Sequence, residues 1–186
     1  KLADVATGNA LISGGVTTAP AWGKVGLTTH VSGVLPTANG GTGSSTVPVF
    51  RAYRNGTQTI TSTAFTKVAL NAENFDTAGA FDSTTNYRFQ PTQSGYYQFN
   101  GAVNIAPSIA PTRLLAFIYK TGAAYAQGQD FNSIPGSGGT STVSTIVYLD
   151  GSTDYVELWT FIIAATAAVG GGDVYTYLDG VYVRAA

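Results

Sequence analysis

Few residues in this sequence have the chemistry of a catalytic site. A hydrolytic triad needs a histidine to carry the proton, and the only histidine, His30, follows two threonines in a glycine-rich segment. Three copies of His30 could meet at a symmetry axis and bind a metal, but a solvated or stacked ring is the simpler interpretation. We therefore predict no catalytic residue, no cofactor and no metal site.

The carboxylates are the remaining candidates, because glycan cleavage uses a pair of them as acid and base. Most acidic side chains stand at turns or strand ends, where hydrogen bonds to the turn backbone explain an aspartate. These are Asp76, Asp82, Asp130, Asp150, Asp154 and Asp173. Glu157 lies inside an apolar strand, and we expect it to pair with Arg88 or Arg113. Gly136-Ser-Gly-Gly139 lacks the lysine of a phosphate loop, and a turn explains the glycosylation sequon Asn55-Gly-Thr57 more simply.

Composition excludes several classes of function. Charged residues make up only 10% of the 186 residues, against about 25% in ordinary soluble domains. The net charge is −1 and Lys and Arg form no cluster, which argues against binding to nucleic acid or anionic lipid. Cysteine is absent, no apolar run approaches the ~20 residues of a membrane span, and no signal peptide is visible. Since methionine is absent too, we expect this chain to be the C-terminal piece of a longer protein.

The chain has two regions of different texture. Residues 1–46 contain short apolar pieces between Gly, Thr, Ser, Asn and Pro, none long enough for a helix or an independent sheet. Disorder is one interpretation, and strands completed by other copies of the chain are the other. Residues 47–186 are rich in Val, Ile, Thr, Tyr and Phe between turn residues, which predicts β-structure and no helix. The predicted strands are 47–53, 57–60, 64–70, 87–90, 96–105, 113–120, 123–128, 141–149, 153–163 and 173–184.

Turns and face patterns add detail to this prediction. Asn55-Gly56 and Asp150-Gly151 have the residues of a two-residue hairpin, because both central positions need a positive φ. Lys120-Thr-Gly122 is a third tight turn. Strand 96–105 alternates cleanly, so one of its faces should enter a core. Strand 153–163 is apolar on both faces, which indicates either the middle of a sandwich or cover by a partner subunit.

Aromatic and glycine motifs recur through residues 47–186. They are Phe50-Arg-Ala-Tyr53, Phe75-Asp76, Phe81-Asp82, Tyr87-Arg-Phe-Gln-Pro91, Gly95-Tyr-Tyr-Gln-Phe99, Asp150-Gly151 before Tyr155-Val-Glu-Leu-Trp159, and Tyr177-Leu-Asp-Gly-Val-Tyr-Val183. In these motifs the region resembles the jelly-roll head shared by complement subcomponent q and the tumour necrosis factor superfamily. The spacing F.P...G.Y.F is the most specific part, whereas the closing motif has one residue more than that family's aromatic-x-Gly.

Three stretches of the first region carry a second resemblance. They are Gly8-Asn-Ala-Leu-Ile-Ser-Gly14, Trp22-Gly-Lys-Val-Gly-Leu-Thr-Thr-His30 and Leu35-Pro-Thr-Ala-Asn-Gly-Gly-Thr-Gly43. They resemble the repeated shaft modules of tailed-bacteriophage fibres, for which LP.ANGGTG is quite specific. Both families are homotrimers, so the resemblances imply an all-β homotrimer. Its trimeric jelly-roll β-sandwich head would span 47–186, preceded over 1–46 by a short intertwined β-shaft segment and a glycine-rich junction.

The junction itself has two interpretations. Val34-Leu35-Pro36 would be the last shaft strand, buried against two other copies. Gly40-Gly-Thr-Gly43 would then let three chains separate into individual jelly rolls, since glycine permits positive φ and close approach. The other interpretation of this stretch is a flexible linker.

The resemblances imply a structural virion fibre that is assembled in the host cytoplasm and acts at the bacterial surface. We expect a receptor-binding tail fibre that attaches a phage through a host glycan or envelope protein, with other virion proteins bound by the missing N-terminal part. The alternative is a neck, collar or head fibre that binds no receptor and whose head drives trimerisation. A depolymerase is a third class with little support in the sequence.

The parity of antiparallel strands predicts where such a head binds. Loops 55–56, 71–83, 106–112, 129–140 and 164–172 should lie at the end distal to the shaft, and the turns 90–95, 120–122 and 150–152 at the proximal end. Long loops on a rigid scaffold commonly carry binding residues. The candidate receptor contacts are Asp130, Phe131, Asn132 and Asn55, because an exposed ring between polar groups suits sugar stacking and hydrogen bonding.

Overall fold

The computed structural model describes residues 7–26, 32, 33, 35, 47–107, 109–132 and 138–186. The chain divides into two compact units, Lys1–Ser45 and Thr46–Ala186. Every helix or strand assigned in the described residues is a β-strand, which confirms the all-β class. His30, Val34, Pro36 and the glycines of the 40–43 junction lie outside the described residues.

The described part of the smaller unit contains one short hairpin. Its strands β1 (Ala10–Ile12) and β2 (Ala21–Gly23) pair antiparallel, with Leu11 opposite Trp22. Leu11 and Trp22 are 46% and 39% exposed. An isolated two-stranded hairpin is at best marginally stable in water, so this unit has apolar surface that its own described strands do not cover.

The larger unit is built from two main antiparallel sheets. Its strands are β3 (Val49–Tyr53), β4 (Gln58–Thr59), β5 (Phe65–Lys67), β6 (Ala72–Asp76), β7 (Phe81–Asp82), β8 (Arg88–Phe89), β9 (Gly95–Asn104), β10 (Arg113–Lys120), β11 (Ala123–Gln127), β12 (Phe131–Asn132), β13 (Thr140–Leu149), β14 (Val156–Ile163), β15 (Ala168–Val169) and β16 (Tyr177–Arg184). A five-stranded sheet has the order β13-β9-β16-β3-β6. A seven-stranded sheet follows β11-β10-β14-β8-β7, with β12 on β10 and β5 on β14, while β4 and β15 form a short ribbon.

The two sheets stack because their strands alternate between apolar and polar faces. In β9, Tyr97 and Phe99 are fully buried, whereas Gln98 and Asn100 lie on the opposite, outward face. The alternation predicted for strand 96–105 is therefore confirmed. The buried residues of both sheets form one continuous core, and in β10 five consecutive residues are buried rather than every second one.

An aromatic cluster fills the centre of this core. The ring of Phe50 stacks on Phe81 and Phe89, with centroids 5.2 and 4.4 Å apart, and contacts Phe99 at 6.2 Å. Gly180 sits beneath these rings, where a Cβ atom would come within 2.8 Å of Phe50 and Phe99. The glycine of the closing motif therefore lies where no side chain fits.

The strand directions define two ends of the sandwich. We name them after β3, which runs from the Val49 end to the Tyr53 end. Loops 105–112 and 164–176 and the described parts of 129–139 lie at the Tyr53 end, and the turns 90–95, 120–122 and 150–152 at the Val49 end, as the parity argument predicts.

Segment 71–83 departs from this prediction. It contains β6, which pairs antiparallel with β3 and carries the chain back to the Val49 end. There Thr77 donates its backbone N–H to Val49, and β7 pairs with β8. Only the start of the segment, at Asn71, lies at the Tyr53 end. Its interpretation as one distal loop was therefore wrong, because Ala72–Asp76 is a paired edge strand.

Two of the three predicted hairpins do not form. Lys120-Thr-Gly122 connects β10 to β11 with positive φ at Thr121 and Gly122, as predicted. Asn55-Gly56 follows β3, whose partners are β16 and β6 rather than the next strand. Asp150-Gly151 lies between β13 and β14, which belong to different sheets. Both dipeptides turn the chain, but the two strands that each turn connects do not pair with each other. The first turn leads from the five-stranded sheet to the β4–β15 ribbon, and the second leads from the five-stranded to the seven-stranded sheet.

Candidate functional site

The predicted receptor contacts lie at the Tyr53 end but form no single cluster. Asn55 is exposed, and its backbone N–H donates to Asn71 Oδ1 over 2.7 Å. Asn132 is exposed on β12, which pairs with the start of β10. In the described part of the chain no hydrogen bond joins Asn55 to the 130–132 segment. Residues 133–137, which follow that segment, lie outside the described residues.

Asp130 and Phe131 have structural partners. Both oxygens of Asp130 accept from Arg113, at 3.1 Å from Nε and 2.7 Å from Nη2. The hydrogen bonds from Arg113 lower the pKa of Asp130 below its ordinary value, so this carboxylate stays charged. Phe131 is half-buried and packs against the core. It differs from the exposed ring expected at this position, and Asn132 is the member of this segment best placed to contact another molecule.

Glu157 pairs with neither of the arginines expected from the sequence. Its Oε1 accepts from Lys67 Nζ at 3.0 Å, and its Oε2 accepts from Trp159 Nε1 at 2.8 Å. Lys67 lies on β5, which pairs with β14 beside Trp159. The expected partners were wrong because Arg113 is engaged by Asp130 and Arg88 lies on a different neighbour of β14.

Aromatic side chains cover the outward face of the seven-stranded sheet. Tyr119 stacks on Trp159 with centroids 4.5 Å apart, and Phe65 contacts both Phe117 and Phe161 at 5.2 and 5.0 Å. These rings come from three neighbouring strands, β10, β14 and β5, and shield one another from water. They cover part of the apolar outer face of strand 153–163, where Phe65 itself remains 53% exposed.

The outward face of the five-stranded sheet is divided into a polar and an apolar half. In the polar half Arg51 pairs with Asp179 at 2.7 Å and stacks 3.8 Å over Tyr177. Asn100 donates to Asp179, and the hydroxyl of Ser144 donates to Asn100. Because these side chains satisfy one another, this half needs no partner.

The apolar half lies towards the Val49 end. It consists of Tyr96, Ile146, Tyr148, Val181 and Val183, each between 38% and 52% exposed, and we call it the apolar patch. Strand register places Ile146 and Val181 on either side of β9, and the rings of Tyr96 and Tyr148 are 5.5 Å apart. A contiguous exposed patch of this kind marks an interaction surface. The sequence signal for the patch is the alternation of β13, which puts Ile146 and Tyr148 on the face opposite the buried Val143 and Val147.

The aspartate at the 150–154 turn is a backbone ligand rather than a catalytic group. Asp150 Oδ1 accepts from the N–H groups of Asp154, Ser152 and Thr153, each at 2.9 Å, and Oδ2 accepts from two hydroxyls. The backbone hydrogen bonds of Asp154 and Ser152, with the Thr153 hydroxyl, hold the pKa of Asp150 well below its ordinary value of 3.8. Such a group stabilises the fold above the unfolded-state pKa, and this stability is lost as pH falls through the lower folded-state value.

We expect Asp150→Asn to lower the stability at neutral pH and to weaken its acid dependence. The wild-type free energy of unfolding should decrease as pH falls from about 5 to 2, and the variant should show a shallower decrease. Urea denaturation at a series of pH values measures both. The control is Asp173→Asn, because within the described residues that carboxylate accepts only a 3.5 Å contact, from Asn74. Identical pH slopes for Asp150→Asn and the wild type would contradict the assigned role.

The described residues contain no group of three or more His, Asp or Glu side chains arranged to hold a metal ion. Among them there is also no helix long and apolar enough to cross a membrane.

The fold of the larger unit is shared by solved structures of low sequence identity. Eiger TNF of S. frugiperda aligns over 75% of this chain and 93% of its own, with 10% identity and a TM-score of 0.57. The globular domain of the zebrafish complement 1qA protein aligns over 75% and 99%, with 17% identity and a TM-score of 0.53. Murine APRIL aligns over 74% and 99%, with 9% identity and a TM-score of 0.55. No protein-family model and no curated protein sequence matches the chain.

These structures show the fold and nothing finer. The larger unit is a jelly roll of the complement-q and tumour-necrosis-factor type, as its aromatic and glycine motifs predicted. Identities of 9–17% carry no information about ligand or activity.

Proposed function

We propose that this protein is a homotrimeric fibre component of a tailed bacteriophage, with the jelly roll as its head. The observation that carries the proposal is the apolar patch. It lies on the same face of the five-stranded sheet as the polar half, whose side chains pair with one another. An isologous or cyclic interface needs such a surface on every copy. The complement-q and tumour-necrosis-factor fold, in families that form homotrimers, supports three copies.

The smaller unit supports the fibre part of the proposal. Its hairpin exposes Leu11 and Trp22, and Val16 and Val25 next to it are also exposed. Three chains that wind together would cover these side chains in the manner of an intertwined shaft. The shaft-like sequence motifs of residues 8–43 are the reason to assign the chain to a bacteriophage rather than to another source of trimeric jelly rolls.

The proposed activity is attachment to a bacterial surface through the loops at the Tyr53 end. Asn55 and Asn132 present exposed side chains there, and amide groups suit hydrogen bonding to a glycan or an envelope protein. We propose no enzymatic activity for these loops. A virion appendage that binds no receptor, such as a neck, collar or head fibre, is the second candidate, favoured by the patch alone, since trimerisation requires no receptor.

We expect Asn55→Ala combined with Asn132→Ala to reduce binding of the fluorescently labelled protein to susceptible bacteria by about thirtyfold. Two lost hydrogen bonds of about 1 kcal/mol each account for a change of this size. Flow cytometry on susceptible and resistant strains measures the binding. Ser94→Ala changes an exposed polar side chain in the 90–95 turn at the opposite, Val49 end; it is the control and should bind as the wild type does.

The outcomes separate the two candidates. Equal binding of the wild type to susceptible and resistant strains would favour the appendage without a receptor. Selective binding that the double substitution leaves unchanged would retain the attachment function and refute these two residues as contacts.

A further inference from the structure

A cavity of about 310 Å³ opens at the Val49 end, away from the loops discussed above. The turn after β6, the β7–β8 hairpin and the 150–152 turn enclose it. Its side chains include Phe81, Asn86, Arg88, Gln90, Pro91 and Thr92. The volume is at the lower limit of about 300–1,000 Å³ for small-molecule sites. It therefore suits a group the size of one sugar ring.

Arg88 is the cation of this cavity, and it has no carboxylate partner within 4.0 Å among the described residues. The four ion pairs of the described residues use other cations. Arg88 Nη2 donates to Gln90 Oε1 at 2.8 Å, and its guanidinium lies 4.3 Å over the Tyr155 ring. Gln90 is itself held by a 2.8 Å hydrogen bond from Nε2 to the Ser152 carbonyl. The guanidinium is thus fixed in place, while Nε and Nη1 make no hydrogen bond within the described structure.

Asp82 is the expected partner of Arg88, but the fold directs it elsewhere. The two residues are paired across β7 and β8, where opposite charges commonly form an ion pair. Asp82 instead accepts three backbone N–H bonds, from Thr84, Thr85 and Asn86, and two side-chain bonds from Thr84 and Asn86. With both oxygens occupied by its own turn, Asp82 leaves the guanidinium available to a ligand.

The cavity lining indicates the chemistry of that ligand. One N–H of Arg88 Nη2 is used by Gln90, and its second N–H forms a fork with either Nε or Nη1 that can bind a carboxylate in a bidentate manner. The neighbouring groups of Asn86 and Thr92 are neutral donors and acceptors, and Phe81 and Pro91 supply an apolar wall. Asp82 also lines the cavity with both oxygens held by its own turn, and its charge disfavours a dianion such as phosphate or sulfate more strongly than it disfavours a single carboxylate. A ring that carries hydroxyls, an apolar face and one carboxylate matches this set.

We propose that the cavity around Arg88 binds an acidic sugar residue, with the ring carboxylate on the Arg88 guanidinium. This site is separate from the proposed attachment loops and does not require the protein to be a fibre. The sugar could be a free uronic acid or a uronic acid unit within a polysaccharide, and both present the same carboxylate.

Titration of the 186-residue chain with glucuronate, followed by nuclear magnetic resonance or calorimetry, tests the proposal. We expect saturable binding of glucuronate, at least tenfold weaker binding of glucose, and at least tenfold weaker glucuronate binding by Arg88→Gln. Arg113→Gln removes a guanidinium at the opposite end of the sandwich and should bind glucuronate as the wild type does. Far-ultraviolet circular dichroism verifies that both variants fold, and Arg88→Lys should recover part of the affinity if charge alone contributes.

Other results would overturn the proposal. Equal binding of glucose and glucuronate would remove the role of the carboxylate, and phosphate binding as tight as glucuronate would show a general anion site. Unchanged binding in folded Arg88→Gln would place the sugar elsewhere. Comparison of glucuronate with a uronate oligosaccharide then distinguishes the two sources, because a polymer site binds the oligosaccharide more tightly. None of these titrations uses bacteria. A negative result would therefore refute the sugar site and leave the attachment proposal unaffected.

Discussion

We expect Val181→Asp to convert the protein from a homotrimer into a monomer. Val181 is 39% exposed in the single chain and lies in the apolar patch, beside Gln98 of β9 and opposite Val49 of β3. In a trimer it would be removed from water, and an uncompensated buried carboxylate costs about 3–5 kcal/mol for each subunit. Light scattering behind size exclusion measures the mass, which should equal three chains for the wild type and one for the variant.

Val174→Asp is the matched control for this experiment. Val174 is 67% exposed but lies in the turn before β16, outside the sheet face. The Val174→Asp variant should therefore remain a trimer. A wild-type monomer would refute the proposed assembly, and a Val181→Asp trimer would refute the apolar patch as its interface.

The second large effect is expected in the core, where Phe50→Ala should lower the free energy of unfolding by about 3–5 kcal/mol. Phe50 is fully buried and contacts Phe81, Phe89 and Phe99. Gly180 supplies no side chain that could move into the cavity left by the ring. Urea denaturation measures the change, at one fixed protein concentration because association also contributes to stability.

Phe75→Ala provides the comparison, since Phe75 is 46% exposed on the edge strand β6. Its loss should cost less than about 1 kcal/mol. Similar losses for Phe50 and Phe75 would contradict the central place of the aromatic cluster in the fold.

The larger elements of the fold could be predicted from the sequence. Strand β9 alternates the buried Tyr97 and Phe99 with the outward Gln98 and Asn100, which identifies both the strand and its buried face. The motif from Phe89 to Phe99 predicted a jelly-roll core, and the rings of Phe89 and Phe99 contact each other there. These inferences succeed because each depends on residues that are close together in the chain.

Short strands and turn partners could not be predicted in the same way. Strands β7, β12 and β15 have two residues each, too few to show any period. Asn55-Gly56 and Asp150-Gly151 have the residues of a turn, but these residues do not determine whether the two flanking strands pair with each other. The pairing of β3 with β16 joins residues more than 120 positions apart and is decided by packing.

By itself the sequence determined the all-β class, the buried face of β9 and the jelly-roll type of the larger unit. Only the tertiary structure decided that Glu157 pairs with Lys67, that Asp82 turns away from Arg88, and that Ile146 and Val181 share one exposed patch. The physical reason is the range of the interactions. A strand's alternation is local, whereas the partner of a charge and the extent of an exposed surface depend on which strands become neighbours across a sheet.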